Sequence, residues 1–257
     1  MSKHIFRSFA EKSLRHVAFR RRLPARFGRT PIIVSPSCGL RYLRPDISKV
    51  DPTLFALAER FANPGTVVWD VGANSGLFAF ACAARSGQSG AVIAFEPDTQ
   101  LVAMMRKSCA LQPPASARVT VVPVACGRTL QPREFRLSVR SRSMNHLAGY
   151  GSTQTGGHSE SQTVMCIPLD WALDFFPRPD VLKIDVEGAE LEVLQGAEKV
   201  LQTARPAVIC EVSSPMANDV ATLLHKHRYR VTDADAPDDD RDQELAPWNT
   251  LAVPANE

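Results

Sequence analysis

Residues 67–76 read VVWDVGANSG. Val67, Val68 and Trp69 have the character of a buried strand, and Asp70 closes it. Gly72 and Gly76 then bracket a tight turn. From Leu77 the apolar run LFAFACAA continues with no breaker before Gly87, as a helix would. A strand passing through a glycine turn into a helix opens a nucleotide-binding α/β unit. Glycine lets the backbone approach a ligand, and the helix N-terminus carries a partial positive charge.

The glycine spacing separates the ligands. Dinucleotide sites carry G-x-G-x-x-G. Here Gly72 and Gly76 stand four apart, Asn74 takes the place of the second glycine, and Asp70 precedes the first by two. An acid beside the turn suits a ligand presenting an ammonium group, such as S-adenosylmethionine, better than a pyrophosphate.

Outward from this stretch, strands and helices alternate. Strands are expected at 91–95, 118–124, 181–186 and 207–212, with helices at 75–85, 99–111, 188–201 and 215–227. Late strands at 229–232 and 250–253 flank an acidic loop, 233–244, read as a solvated surface turn. The count is that of a doubly wound, mostly parallel seven-stranded sheet in an α/β fold, with helices on both faces. Residues 127–162 interrupt the alternation. Within them 134–139 reads as an edge strand, and 141–162, rich in Ser, Gly, Thr and His, as a long polar loop on the substrate side. Short elements follow, a strand at 163–167 and a helix at 169–176. Ahead of the sheet, 31–43 reads as two short strands around Ser37-Cys38-Gly39. Residues 52–61 read as a helix capped by Asp51 with Pro52 at its first position. The expected organisation is a basic leader (1–30), a lead-in (31–63) and the main domain (64–257).

The chain has 257 residues, 44% of them hydrophobic, enough for a full core. Its formal charge is +3, but residues 1–30 hold nine Lys and Arg against Glu11, so 31–257 carry −5. The leader reads as a basic amphipathic helix over 3–22, a candidate for peripheral membrane contact or targeting. Few aromatics interleave its basic residues, which argues against nucleic acid as the partner. Six cysteines are scattered without a C-x-x-C pair, a pattern of reducing compartments and not of structural zinc. No apolar run approaches the roughly 18 residues of a membrane span, so the expected location is cytoplasmic, with the leader as the only membrane candidate.

The expected strand ends carry acids: Asp70, Glu96, Asp185 and Glu211. A carboxylate closing an apolar strand needs a reason, because burying an unpaired charge is costly. Four at corresponding ends describe one site. Glu96, 26 residues after Asp70, is placed to accept hydrogen bonds from ribose hydroxyls. In the run Lys183-Ile184-Asp185-Val186-Glu187-Gly188, strand alternation puts Lys183, Asp185 and Glu187 on one face. Asp185 can act as a base on a hydroxyl, with Lys183 orienting it and Glu187 beside it. Alternatively, Asp185, Glu187 and Glu211 are candidate ligands for a hard divalent cation. Glu211, His146 and His158 are further candidates near the acceptor.

With these stretches in hand, the sequence resembles the FkbM family of S-adenosylmethionine-dependent methyltransferases. The resemblance rests on Trp69-Asp70-Val71-Gly72-Ala73-Asn74-Ser75-Gly76, Phe95-Glu96-Pro97, Leu169-Asp170 and Lys183-Ile184-Asp185-Val186-Glu187-Gly188-Ala189-Glu190. Leu194-Gln195-Gly196-Ala197, Arg205-Pro206 and Glu211-Val212 add to it. It implies a Rossmann-like class I methyltransferase fold and cofactor contacts at Asp70, Gly72, Asn74, Gly76 and Glu96. The implied reaction is methyl transfer, usually to a hydroxyl of a sugar, glycolipid or natural product. It leaves the catalytic residue, the acceptor and the oligomeric state open. A nicotinamide-dependent oxidoreductase and a non-catalytic scaffold of the same fold are the competing readings. The missing G-x-G-x-x-G counts against the first, and the four acids together count against the second.

Overall fold

The computed structural model describes residues 17–139, 141–151 and 157–255. Residues 3–16 of the expected leader helix lie outside this range. Its other end is not helical: β1 (Phe19–Arg22) pairs antiparallel with β2 (Pro31–Val34). Ile32 and Val34 point into the core while Arg20 and Arg22 face outward, the period-two pattern of a half-buried strand. Residues 31–43 therefore hold one strand, not two. Beyond Val34 the chain forms 3-10 turns at Pro36–Cys38 and Leu40–Leu43. α1 (Pro52–Phe61) starts as expected, with the Asp51 carboxylate accepting from Leu54 N at 2.9 Å.

The main sheet begins with β3 (Val67–Val71), leading into α2 (Leu77–Ser86), then β4 (Ala91–Phe95), α3 (Thr99–Cys109) and β5 (Arg118–Val122). An inserted segment contains β6 (Ala125–Cys126), β7 (Gln131–Ser138), β8 (His146–Leu147) and β9 (His158–Ile167). α4 (Leu169–Ala172), β10 (Val181–Ile184), α5 (Glu190–Gln195), α6 (Glu198–Thr203), β11 (Ala207–Glu211), α7 (Ala217–Lys226), β12 (Tyr229–Asp233) and β13 (Asn249–Pro254) complete the chain. The seven-stranded order is β12-β13-β11-β10-β3-β4-β5, with every pairing parallel except those of β13. The chain runs outward from β3 through β4 to β5, then restarts at β10 on the other side of β3. The crevice between β3 and β10 is thus the point where strand order reverses.

Strand alternation divides the core in two. Val68, Val92, Ala94 and Val181 pack with the lead-in and α1–α3, whereas Trp69, Ile93, Phe95 and Leu182 pack with α5–α7. The lead-in shares the first core through Phe27, Ile32 and Tyr42.

The insert differs most from expectation. β6-β9-β7-β8 form a second, four-stranded sheet. β7 lies inside it, paired on both sides, so 134–139 is not an edge strand. The 141–162 stretch is not one loop either, because β8 and the first half of β9 fall within it. Its polar residues conceal the strands, since only one face of this small sheet finds apolar cover, at Phe135, Leu137 and Leu147.

The expected helix over 188–201 is broken into α5 and α6 at Gly196. A Cβ at Gly196 would stand 2.1 Å from the Gly127 carbonyl oxygen, so the insert's first turn packs directly on that backbone. α6 has no capping side chain of its own. Asp170 supplies one from α4, accepting from Lys199 N at 3.0 Å and Val200 N at 2.9 Å. Gly196→Ala is expected to cost about 1–3 kcal/mol, the usual penalty of overpacking. Urea unfolding of the variant should show the midpoint falling with the slope unchanged.

Candidate active site

A cavity of about 420 Å³ opens at the carboxyl ends of β3, β4, β10 and β11, within the size range of small-molecule sites. Gly72, Asn74, Glu96, Lys183, Asp185, Glu187 and Glu211 all line it. Asp70 does not, among the residues that the structure describes. It is fully buried behind the wall, where the sequence had placed it against a ligand.

The reason is strand register. Lys183 on β10 is the direct partner of Asp70 on β3, and both side chains lie on the same face. Lys183 Nζ sits 3.2 Å from Asp70 and 3.5 Å from Asp185, and donates to the Gly72 carbonyl at 3.0 Å. The ammonium therefore ties together the buried acid, the glycine turn and the acid at the cavity wall. Burial pushes the Asp70 carboxyl up, against the pull of Lys183. Burial alone would lower the Lys183 pKa, but Asp70 and Asp185 raise it.

The glycine turn is shaped by its own protein. Gly72 has φ +72°, and a Cβ there would lie 1.8 Å from the Asp185 carbonyl oxygen. Gly76 has φ +81° and leaves no room beside the Phe80 ring. It is not among the cavity residues. Both glycines thus answer first to neighbouring protein, where the sequence suggested approach to a ligand. Asn74, at φ +54°, carries the turn in a left-handed conformation that Asn tolerates better than most side chains. Its Oδ1 is buried without a hydrogen-bond partner among the described residues.

Glu96 is buried at the cavity edge. Its carboxylate accepts from Asn74 N and from Asp98 N, both at 2.8 Å. Burial outweighs these donors and pushes its pKa up to about 8. Asp98, fully buried, caps α3 and also holds Arg142 and Asn145 of the insert, the latter at 2.8 Å. Arg142 and Asn145 line the cavity, so the insert is latched to the end of β4.

β10 ends at Ile184, and strand alternation does not reach Glu187 as expected. Glu187 instead takes φ +57° in a turn. Glu190, which the sequence offered only as part of a motif, secures that turn by accepting from Gly188 N at 2.9 Å and Val186 N at 3.3 Å. Its place at the first position of α5 was the available signal, since an acid there can reach back to free N–H groups. Glu187 is pushed up to about 7 by burial and by the negative charge of Asp185. Glu211 is also raised, by burial and by sharing a hydrogen bond with Asp185. Trp248 Nε1 donates to Glu211 Oε1 at 2.7 Å.

Some expected members fall elsewhere. His146 is buried against Gly151 with Nδ1 3.1 Å from the Met144 carbonyl, and His158 is exposed at the start of β9. Neither is among the cavity residues. Among the described residues no three His, Cys, Asp or Glu side chains stand together as a metal site, so the geometry lends the divalent-cation reading no support. Lys183 already supplies a cation at this point. The lead-in contributes Arg41, Tyr42 and Thr53, and the start of β13 contributes Trp248 and Asn249. Nothing local in the sequence marked these residues.

This sheet order, with one antiparallel strand beside the edge and a site at the reversal point, is the class I methyltransferase arrangement. The chain belongs to the FkbM methyltransferase domain family, whose pattern matches residues 70–231. It is 31% identical over 166 residues to the hexuronic acid methyltransferase AglP of Haloferax volcanii, a match covering 63% of this chain and 63% of that protein's length. Among solved structures it is similar to methyltransferase FkbM from Methylobacillus flagellatus. That match has 14% identity and a TM-score of 0.46, covering 85% of this chain and 58% of that one. A second is a SAM-dependent O-methyltransferase from Thermotoga maritima, with 17% identity and a TM-score of 0.44, covering 88% and 74%. No helix among the described residues is long and apolar enough to cross a membrane.

Lys183→Met leaves Asp70 buried without its counter-charge, and a loss of about 3–5 kcal/mol is expected. The double variant Asp70→Leu/Lys183→Met removes both charges and should recover most of that loss. Urea unfolding of the two proteins checks this.

Proposed function

We propose that this protein transfers a methyl group from S-adenosylmethionine to a hydroxyl of a carbohydrate acceptor. The observation carrying this reading is the pair of groups at the cofactor end. The buried Glu96 carboxylate, at the end of β4, and the orphaned Asn74 Oδ1, on the glycine turn that Glu96 holds, stand together beside the cavity. Two hydrogen-bond acceptors so placed fit a ligand rich in N–H and O–H donors, such as the adenosine and ammonium groups of this cofactor. Glu96 would hold the ribose, and Gly72, Asn74 and Gly76 would form or brace the cradle. Asp70 would act from behind it, holding Lys183 under the Gly72 carbonyl.

When bound, S-adenosylmethionine supplies a methyl group on a sulfonium, an electrophile that needs no further activation. The protein's part is to hold the acceptor and to take its proton. Asp185 Oδ2, with Lys183 at 3.5 Å as its counter-charge, is the proposed proton acceptor. Glu187 adds negative charge beside it once ionised, and Glu211 shares a hydrogen bond with it. Most of the acceleration then comes from orientation, worth up to about 7–11 kcal/mol in favourable cases. Proton removal contributes about 10²–10⁴-fold.

The acceptor class draws on the hexuronic acid methyltransferase. A uronate carboxylate needs a cation. Arg41 lines the cavity, is nearly half exposed, and among the described residues has only Asp51 at 3.6 Å as its ionic partner. It is proposed to read that carboxylate.

Calorimetry with S-adenosylhomocysteine should show micromolar binding that Glu96→Ala weakens. Binding of NADH and not of S-adenosylhomocysteine would overturn the reading. In a methylation assay Asp185→Asn should lower kcat by about 10²-fold or more. Glu187 is ionised only above about 7 and Glu211 is raised as well, so the wild-type rate should rise with pH through the neutral range. Glu187→Gln should remove the component of that rise near 7. With methyl glucuronide as acceptor, Arg41→Gln should raise KM about three- to tenfold, the worth of one charged hydrogen bond in a partly exposed site. The methyl glucoside should be little affected.

A further inference from the structure

The end of the cavity beyond Asp185 is built partly from outside the matched family segment. Trp248 and Asn249, at the start of β13, stand beside Glu211 on β11. Trp248 is held tightly, yet 58% exposed. Its carbonyl accepts from Val212 N at 2.7 Å, and Asn249 is the register partner of Glu211. Two residues earlier, Ala246 is buried and its N–H donates to the Ala217 carbonyl at 3.1 Å. The indole itself is fixed at one edge by its bond to Glu211 Oε1. Asn249 is steadied by Asp235, which accepts from Nδ2 at 2.6 Å.

The result is a rigid aromatic plate at a cavity wall, with the Glu211 carboxyl group along one edge. A pyranose ring has the matching form. One face is made of C–H bonds and is apolar, while the rim carries hydroxyls that donate hydrogen bonds. An indole takes the apolar face, and carboxyl and amide oxygens take the hydroxyls. We propose that Trp248 is the stacking platform for the sugar ring of the acceptor. Glu211 and the Asn249 side-chain oxygen receive its hydroxyls, and the ring is thereby aimed with one hydroxyl at Asp185. This rests on the methyltransferase reading above and assigns its acceptor subsite. The plate accounts for a Trp where the sheet needs no large side chain, and for the carboxylate that anchors it.

The chain provides its own comparison. Of its three tryptophans, Trp69 is fully buried, and Trp171 is exposed but lies outside the cavity residues. The experiment is saturation-transfer NMR of methyl glucoside, galactoside, mannoside and glucuronide with the protein saturated by S-adenosylhomocysteine. Wild type, Trp248→Leu, Trp248→Phe and Trp171→Leu are compared, and each is titrated calorimetrically with S-adenosylhomocysteine. At least one glycoside should bind wild type. Trp248→Leu should weaken it by about tenfold or more, as loss of one aromatic contact predicts. Trp248→Phe, which keeps a ring, should lose less, and Trp171→Leu should match wild type. All four proteins should bind S-adenosylhomocysteine equally, which also certifies their fold. Unchanged glycoside affinity in Trp248→Leu, or no glycoside binding to a protein that binds S-adenosylhomocysteine, overturns the platform and spares the methyltransferase reading. Failure of wild type to bind S-adenosylhomocysteine overturns the methyltransferase reading itself, and the platform with it.

Discussion

One ammonium group organises this molecule. Lys183 Nζ lies between a fully buried Asp70 and a cavity-facing Asp185, and also holds the Gly72 carbonyl. A carboxylate at Asp70 without that partner would be prohibitively placed, and so would the ammonium without the acids. Each therefore fixes the other, and with them the spacing of β3 and β10 where the sheet reverses. The consequence reaches the chemistry. The glycine turn and the acidic wall are parts of one ionic assembly, so the two halves of the cavity cannot shift independently.

The same economy recurs at the end of β4. Glu96 and Asp98 are two residues apart and face different tasks. Glu96 binds the main chain of the glycine turn, and Asp98 caps α3 and latches the insert through Arg142 and Asn145. The wall lined by the insert is thus anchored to the end of the strand that carries Glu96 to the cavity. The third boundary is supplied from outside the family segment. The lead-in reaches the turn through Tyr42, whose hydroxyl lies 2.7 Å from Ser75 Oγ, and β13 brings Trp248 to Glu211. The cavity is in this way enclosed partly by residues that lie outside the matched family segment.

Much of this was legible in the residue order. Strand, glycine turn and helix at 67–86, the later apolar strands, and the acids at Glu96, Asp185 and Glu211 are local patterns, and the structure keeps them where the patterns put them. The seven-stranded sheet follows from their alternation, and the family from the runs around Asp70 and Asp185. Local composition misled where pairing is long-range. Polar β8 and the first half of β9 read as loop because their partners supply the order, and the helix after Gly188 read as continuous because the Gly127 backbone that interrupts it is distant in sequence.

What the sequence determined by itself is therefore the set of elements and the acids that end them, since periodicity and strand-closing residues act over a few positions. Only the tertiary structure decided which acid meets the cavity and which is buried behind it. That depends on the register of β10 against β3, which pairs Lys183 with Asp70. It also decided that Arg41 and Trp248, some two hundred residues apart, line one cavity. Contacts of that separation arise from packing of the whole chain and leave no trace in the order of neighbouring residues.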